Sequence, residues 1–268
     1  MDKVIITSAS NKYFPSVLNL IGSIYKYSDI PVVVYDLGLL PSFRKELELM
    51  SVRVIKMPHF CSFWRSCYTW KTYITAHPLA RLNFYVDAGC EFLRPFDEIW
   101  DFIERDDYFF VDQGGSFKEV VPTEYKRLFD LKDKFDELPL IAAGIIGFKK
   151  DSKITQLLED TFTWGKLGFT LGFSKNDLWR NKGKDKTTVI QDCPLFRHDL
   201  TVLNWLMRIQ MQNPVIHDGA KYAGGKDWHP QQTIWNFRMV YKKLRYLKPK
   251  LRINRILIGG FMILKKIQ

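Results

Sequence analysis

The chain of 268 residues has no acidic side chain after Asp227, although ten Lys and Arg follow between Arg238 and Lys266. The formal net charge of +11 therefore sits in the tail, and the residues before it are close to neutral. A uniformly basic nucleic-acid-binding surface is excluded by that distribution, and no nucleic-acid partner is expected. Cysteine is scarce, and Cys61, Cys67, Cys90 and Cys193 include no C-x-x-C pair, so neither a zinc knuckle nor a dithiol redox motif is present. Cys61 and Cys67 lie near enough in sequence to bridge, but free thiols of a reducing compartment are the expected state. The longest apolar run, Ile256 to Leu264, is nine residues with Gly259 and Gly260 inside it. A membrane-spanning helix needs about 20. No apolar segment precedes the strand-like Lys3 to Thr7, so no signal peptide is expected. Neither G-x-G-x-x-G nor G-x-x-x-x-G-K-[ST] occurs, which removes the dinucleotide fingerprint and the P-loop.

Apolar residues make up 46% of the chain and aromatics 15%, enough to build a globular core. Short β-branched runs at 3–7, 31–35, 52–56, 82–86 and 108–111 alternate with helical periodicity over 14–27, 42–50, 70–76 and 95–104. Ser42 is the expected cap of the second helix, and Pro95 stands near the start of the fourth. The alternation predicts an α/β fold with a mostly parallel sheet flanked by helices. Further along, a strand at 145–148, helices over 153–164 and 199–210, and a short strand at 215–217 are expected. Long loops are expected over 165–190 and 219–233. This predicts one domain over residues 1–235 and a tail over 236–268.

In an open parallel sheet, ligands bind beyond the carboxyl ends of the strands. Thr7, Ser8, Ala9, Ser10 and Asn11 follow the first strand, and their small or polar side chains would let a flat base or ribose approach the backbone. An ordinary polar turn has the same composition. Tyr85-Val86-Asp87-Ala88-Gly89 ends the fourth strand. A carboxylate there suits a cation that balances a departing diphosphate. Asp at a strand end is also a common turn former. His198-Asp199 precedes a helix, where Asp serves equally as a cap.

Several blocks, in order, resemble the family 8 GT-A glycosyltransferases, the retaining group that contains bacterial lipooligosaccharide galactosyltransferases and glycogenin. They are Thr7-Ser8-Ala9, Val34-Tyr35-Asp36-Leu37-Gly38-Leu39, Tyr85 to Gly89 with Arg94-Pro95, Ala142 to Phe148, His198 to Asn204, and His217 with Lys226-Asp227-Trp228-His229. The resemblance implies a Rossmann-like nucleotide-diphospho-sugar transferase fold. It implies donor contacts at Thr7, Ser8, Ala9, Asn11, Lys71, Asp87, Ala88, Gly89, Ala143, Gly144 and Lys226. By the same resemblance Asp87 and His217 are metal ligands for Mn²⁺ or Mg²⁺, Lys226 holds the diphosphate, and Asp199 contacts the donor sugar. The catalytic set expected is Asp199, Asp87 and His198. The sequence departs from the family pattern at Gly89, Ala142 and Leu200, where the family has Asp, Asn and Gln.

The expected activity is transfer of a sugar from a nucleoside-diphosphate donor, a UDP-sugar, to a glycan or lipid-linked acceptor. A catalytically inactive scaffold or sugar-nucleotide-binding module is the alternative, favoured by Gly89. Residues 236–247 place Phe237, Val240, Tyr241, Leu244 and Leu247 on one helical face, with basic residues mostly on the other. Such a segment suits an anionic membrane surface, so a peripheral position at the cytoplasmic face is expected. A helix packed on the body, its charges solvated, is the competing reading.

Overall fold

The computed structural model describes residues 1–131, 135–172, 188–190, 193–211, 213–225 and 229–236. In chain order the elements are β1 (Lys3–Ala9), α1 (Phe14–Tyr25), β2 (Val32–Asp36), α2 (Pro41–Leu49), β3 (Arg53–Lys56), α3 (Thr69–Ala76) and β4 (Leu82–Val86). Then come β5 (Cys90–Phe92), α4 (Asp97–Asp106), β6 (Tyr108–Ser116), α5 (Phe117–Val120), α6 (Thr123–Leu128), β7 (Pro139–Lys149) and α7 (Thr155–Lys166). The described chain closes with β8 (Thr188–Ile190), β9 (Cys193–Phe196), α8 (Asp199–Gln210), α9 (Gly219–Tyr222) and β10 (Ile234–Asn236). The six-stranded sheet has the order β3-β2-β1-β4-β7-β6, which is the mostly parallel α/β architecture expected.

The chain divides into two compact units. The first comprises Met1–Met57, Leu79–Phe102 and the residues from Asp218. Its strands β2, β1 and β4 are parallel neighbours, and β3 pairs with β2 in the same sense. Every residue of β2 and β4 is buried, and apart from Asp36 and Asn83 these strands are apolar, as strands covered on both faces are. The edge strand β3 exposes Arg53 and Lys56, charges that discourage edge-to-edge pairing. Pro41 occupies the first turn of α2, with Leu40 as its cap in place of Ser42; the fixed proline φ suits that position. The ring of Phe43 on this helix stacks at 3.9 Å on Phe14, the first residue of α1.

The second unit comprises Pro58–Pro78 and Ile103–His217. Its antiparallel pair β6–β7 shifts register between Phe110 and Asp112. Helices α3, α7 and α8 pack there around an aromatic cluster in which the Trp205 ring lies 5.0 to 5.3 Å from those of Tyr125, Phe129, Trp164 and Phe169. Gly165 in α7 is dictated by packing, since a Cβ there would stand 2.8 Å from Thr72 Oγ1 of α3. Asn204 on α8 clamps β7: its Oδ1 accepts from Ile141 N at 2.8 Å and its Nδ2 donates to Ile141 O at 3.0 Å.

The fourth helix begins at Asp97, two residues beyond Pro95. The strand expected at 145–148 runs from Pro139 to Lys149. Residues 215–217 contribute a single bridge, His217 to Val111, because Val215 N is drawn instead to the Tyr108 hydroxyl. The expected loops hold a 3₁₀ turn at Phe169–Leu171, strand β8 and helix α9. Asn236 ends β10, and the rest of the expected tail lies outside the described residues.

Candidate active site

In the first unit the candidate residues gather at the carboxyl ends of β1 and β4. Tyr85 and Asp87 are two apart, so an extended chain points both side chains to one face. The Tyr85 hydroxyl donates to Asp87 Oδ1 at 2.9 Å and lies 3.3 Å from Ser8 Oγ. Asp87 itself is half-buried, one residue past β4, and its carbonyl closes a turn with Cys90 N at 3.0 Å. A phenol locks one carboxylate oxygen there while the group keeps contact with solvent. Tyr85 carries no role in the sequence reading, and its two-residue offset from Asp87 is the signal that identifies it.

Around this trio the other candidates differ in access. Thr7 is fully buried, Ser8 and Ala9 are nearly so, and Asn11 is exposed with its Oδ1 accepting from Leu40 N at 2.6 Å. Ala88 is buried beside Asp87. Gly89 has no neighbour within 4 Å of a built Cβ, so neither packing nor backbone geometry demands glycine where the family pattern has a second carboxylate. Glu91 does not substitute for it: the side chain is buried and accepts a hydrogen bond from Asn19 Nδ2 at 3.0 Å. Asp36 is also structural, its Oδ1 accepting from Gly38 N and Leu39 N and its Oδ2 facing Arg44 Nε at 2.5 Å. Lys226 lies outside the described residues.

The second unit brings Lys71, His198 and Asp199 together. Lys71 Nζ stands 3.4 Å from Asp199 Oδ2, with both residues less than a tenth exposed. Each belongs to the first turn of a helix, Lys71 in α3 and Asp199 in α8. The positive end of a helix favours Asp199 and disfavours Lys71, so the lysine depends on its carboxylate and on the Tyr68 ring 5.0 Å away. Burying such a pair contributes little net stability compared with apolar residues of the same size.

The turns that deliver these two helices are strained. Ser66 O accepts from Thr69 N at 2.9 Å across Cys67 (φ 52°) and Tyr68 (φ 58°), both left-handed. Arg197 O accepts from Leu200 N at 3.1 Å across His198 at φ 56° and ψ −116°. Gly or Asn normally fills such corners, and each other residue held there costs about 1–3 kcal/mol. Strain of this kind gathers where the surrounding structure fixes a functional group. Burial, followed by the charge of Asp199, pushes the Cys67 thiol up to about 12. His198, expected among the catalytic residues, is 2% exposed, and its Nδ1 lies 2.9 Å from the carbonyl oxygen of Thr170. It is buried one residue before Asp199, against the rings of Tyr68 and Phe196.

His217 is half-buried, its ring 4.8 Å from that of Phe109, and its backbone pairs with Phe110 and Asp112. Ala143 is buried in β7 and Gly144 is half-buried beside it. Asp87 belongs to the first unit and His217 to the second. Among the described residues no group of three or more His, Cys, Asp or Glu side chains is arranged to hold a metal ion. All four cysteines are free thiols.

No family model matches the chain, and no curated protein matches it by sequence. Solved structures do match it. The bifunctional glycosyltransferase WbbM in its apo form aligns over 92% of this chain at 18% identity with a TM-score of 0.52. The chain spans 44% of that protein's length. The apo form of mouse xyloside xylosyltransferase 1 aligns over 89% of this chain and 97% of its own, at 6% identity with a TM-score of 0.53. At these identities the likeness resides in the backbone: the chain is similar in fold to structures of glycosyltransferases.

Proposed function

We propose that the protein is a glycosyltransferase that moves a sugar from a nucleoside-diphosphate donor, a UDP-sugar, to a glycan or lipid-linked acceptor. The observation that carries this reading is the buried Lys71–Asp199 pair, held at 3.4 Å by two strained turns in a fold shared with glycosyltransferase structures. Such a pair has little to offer stability, whereas a fixed carboxylate and ammonium suit the hydroxyls of a sugar and the charge that develops as its bond to phosphate breaks. Asp199 contacts the donor sugar in this reading, and Lys71 offsets charge beside it. Ser8, Ala9 and Asn11 border the base and ribose, with Thr7 supporting them from the core. Ala143 and Gly144 leave room for the sugar.

A divalent cation, Mn²⁺ or Mg²⁺, suits the donor chemistry of Asp87. Its carboxylate is half-buried, stands at a strand end and is oriented by the Tyr85 hydroxyl. Asp87 is its carboxylate ligand in this proposal, an oxygen donor of the kind that both cations accept. Bound, the cation supplies charge that stabilises the departing diphosphate. Lys226 would act on the same phosphates.

A thermal-shift screen of nucleotide sugars with and without Mn²⁺ tests this reading. A UDP-sugar at about 100 times its Kd should add roughly 2.7 kcal/mol to stability. Donor hydrolysis should accompany it, and Lys226→Ala should weaken binding about tenfold to a hundredfold. The absence of any nucleotide-induced shift would sink the assignment. A catalytically inactive scaffold or sugar-nucleotide-binding module is the second reading, favoured by Gly89; a binding module shows the shift without hydrolysis, and a scaffold need show neither.

We also propose that the basic segment 236–268 holds the enzyme at the cytoplasmic face of an anionic membrane. Among the described residues no helix is long and apolar enough to cross one. The whole chain should bind anionic vesicles at low salt and release as salt rises. A chain ending at Asn236, the last residue of β10, should lose most of that binding and keep turnover of a soluble acceptor.

A further inference from the structure

A buried polar relay joins the starts of the two helices that carry Lys71 and Asp199. The Thr170 carbonyl can only accept, so His198 Nδ1 carries the proton and donates to it at 2.9 Å. The hydroxyl of the same Thr170 lies 2.6 Å from that of Thr69. Thr69 opens α3, two residues before Lys71, and His198 caps α8, one residue before Asp199. Thr69, Thr170 and His198 are all at most 2% exposed.

We propose that His198 is a positioning residue: through Thr170 and Thr69 it holds the start of α8 against the start of α3, fixing the Asp199 carboxylate opposite Lys71 in the orientation that the donor sugar meets. This rests on the reading of Asp199 as the donor-sugar contact. The backbone supplies the argument. Position 198 has φ 56° and ψ −116°, a corner that glycine enters freely and histidine does not. Histidine gains there the reach of its imidazole to Thr170, and the bond that results links two segments 28 residues apart. The Tyr68 ring completes the brace, 6.0 Å from the His198 ring and 5.0 Å from Lys71 Nζ. A histidine that merely filled the core would be replaced without consequence for Asp199 by any residue that suits the turn.

His198→Gly and His198→Asn, made in the full chain, separate these cases. Glycine relieves the turn and loses the brace. Asparagine tolerates positive φ and places a side-chain N–H near the position of Nδ1. The first readout needs no donor: iodoacetamide alkylation of Cys67 between pH 7 and 10, followed at that residue by mass spectrometry. The thiol senses both burial and the Asp199 charge. His198→Gly should alkylate about tenfold faster than wild type at pH 8.5, and His198→Asn should stay close to wild type. Asp199→Asn should accelerate it too, and adding His198→Gly to that variant should change little, because the two act through one group. The second readout is transfer kinetics, where His198→Gly should lower kcat about tenfold or more and His198→Asn restore most of it. If wild type turns over no donor, the functional reading fails and the thiol readout still decides the positioning. Should the glycine variant not melt cooperatively, His198→Gln, whose amide sits at the Nε2 position, takes its place. Equal alkylation in wild type and the unbraced variant, or an asparagine variant as fast as the glycine one, overturns the proposal.

Discussion

Asp87 stands one residue past β4 and Asp199 opens α8, and their surroundings differ in nearly every respect. Asp87, in the first unit, is half-buried and bonded to a phenol. Asp199, in the second, is 6% exposed and faces an ammonium that is itself buried. The turn that follows Asp87 has no residue at positive φ, while Cys67, Tyr68 and His198, all at positive φ, shape the turns before α3 and α8. A carboxylate that remains wet exchanges its ligands easily, which suits a cation and a diphosphate that come and go. A dry carboxylate is fixed before the substrate arrives, which suits a group that must meet charge developing in a transition state. The proposed chemistry thus has a replaceable part at Asp87 and a pre-set part at Asp199.

Removing Asp199 should break that contrast most severely. Asp199→Ala leaves the Lys71 ammonium buried with its carboxylate gone, at the end of a helix that disfavours it. Chemical denaturation should show a loss of about 3–5 kcal/mol together with the loss of transfer. The double variant Lys71→Met with Asp199→Leu should recover most of the stability and none of the activity. If Asp199→Ala unfolds at the denaturant midpoint of wild type, the pair is not as dry as its geometry indicates.

Asp87 should behave oppositely. Asp87→Ala should abolish transfer while stability changes by about 1 kcal/mol or less, since no orphaned charge is left behind and Ser8 Oγ stays within reach of the Tyr85 hydroxyl. Gly89→Asp sharpens the test, because the space around Gly89 is open and the new side chain displaces nothing. A second carboxylate near the first should tighten Mn²⁺ about tenfold by adding a charge in a partly solvated site. Calorimetry that finds equal Mn²⁺ affinity in wild type and Gly89→Asp would remove Asp87 from the cation's ligands.

How much of this was legible in the sequence follows the same division. In the first unit β1, α1, β2, α2, β3 and β4 announce themselves, because short runs rich in β-branched or aromatic residues alternate with helices that keep their period. In the second unit β9, α5 and α6 are short, and the sequence reading contains none of them; in the first, the three-residue β5 is missed in the same way. Elements of three to six residues carry less than two helical turns or one strand alternation, too little for periodicity to register. The site divides likewise. Asp87 and Asp199 stand out as polar residues at element ends, yet burial separates Asp199 from Asp87, and burial is a property of the packed chain. Tyr85 was readable by its offset from Asp87. The relay from His198 to Thr69 was not, because Thr170 lies in a stretch without pattern and a histidine with positive φ looks like any other in sequence. Asn204, by contrast, belongs to a block that resembles a glycosyltransferase family and proves to clamp β7.

The smallest effect concerns alkaline pH and tests how dry the second unit is around Cys67. The thiol is pushed up to about 12, first by burial and then by the charge of Asp199. In the unfolded chain it titrates near 8.5, the usual value for cysteine. Above about pH 8.5, then, the unfolded chain releases a proton that the folded chain retains. The folded state binds more protons, so raising the pH through this window favours unfolding. The stabilisation is complete below the unfolded value and is lost as pH approaches the folded one. Cys67→Ser removes the titrating group and keeps a side chain of similar size. Its melting temperature should therefore fall less steeply between pH 8 and 11 than that of wild type, with the two curves differing by a constant below pH 8. Because Cys67 is only half-buried, solvent screens part of the effect and the divergence should be modest. Asp199→Asn, which keeps the thiol and removes the neighbouring charge, should lie between them. Curves that stay parallel to pH 11 would mean that the thiol titrates alike in the folded and unfolded chains, and that water reaches the turn beside Asp199 as freely as it reaches Asp87.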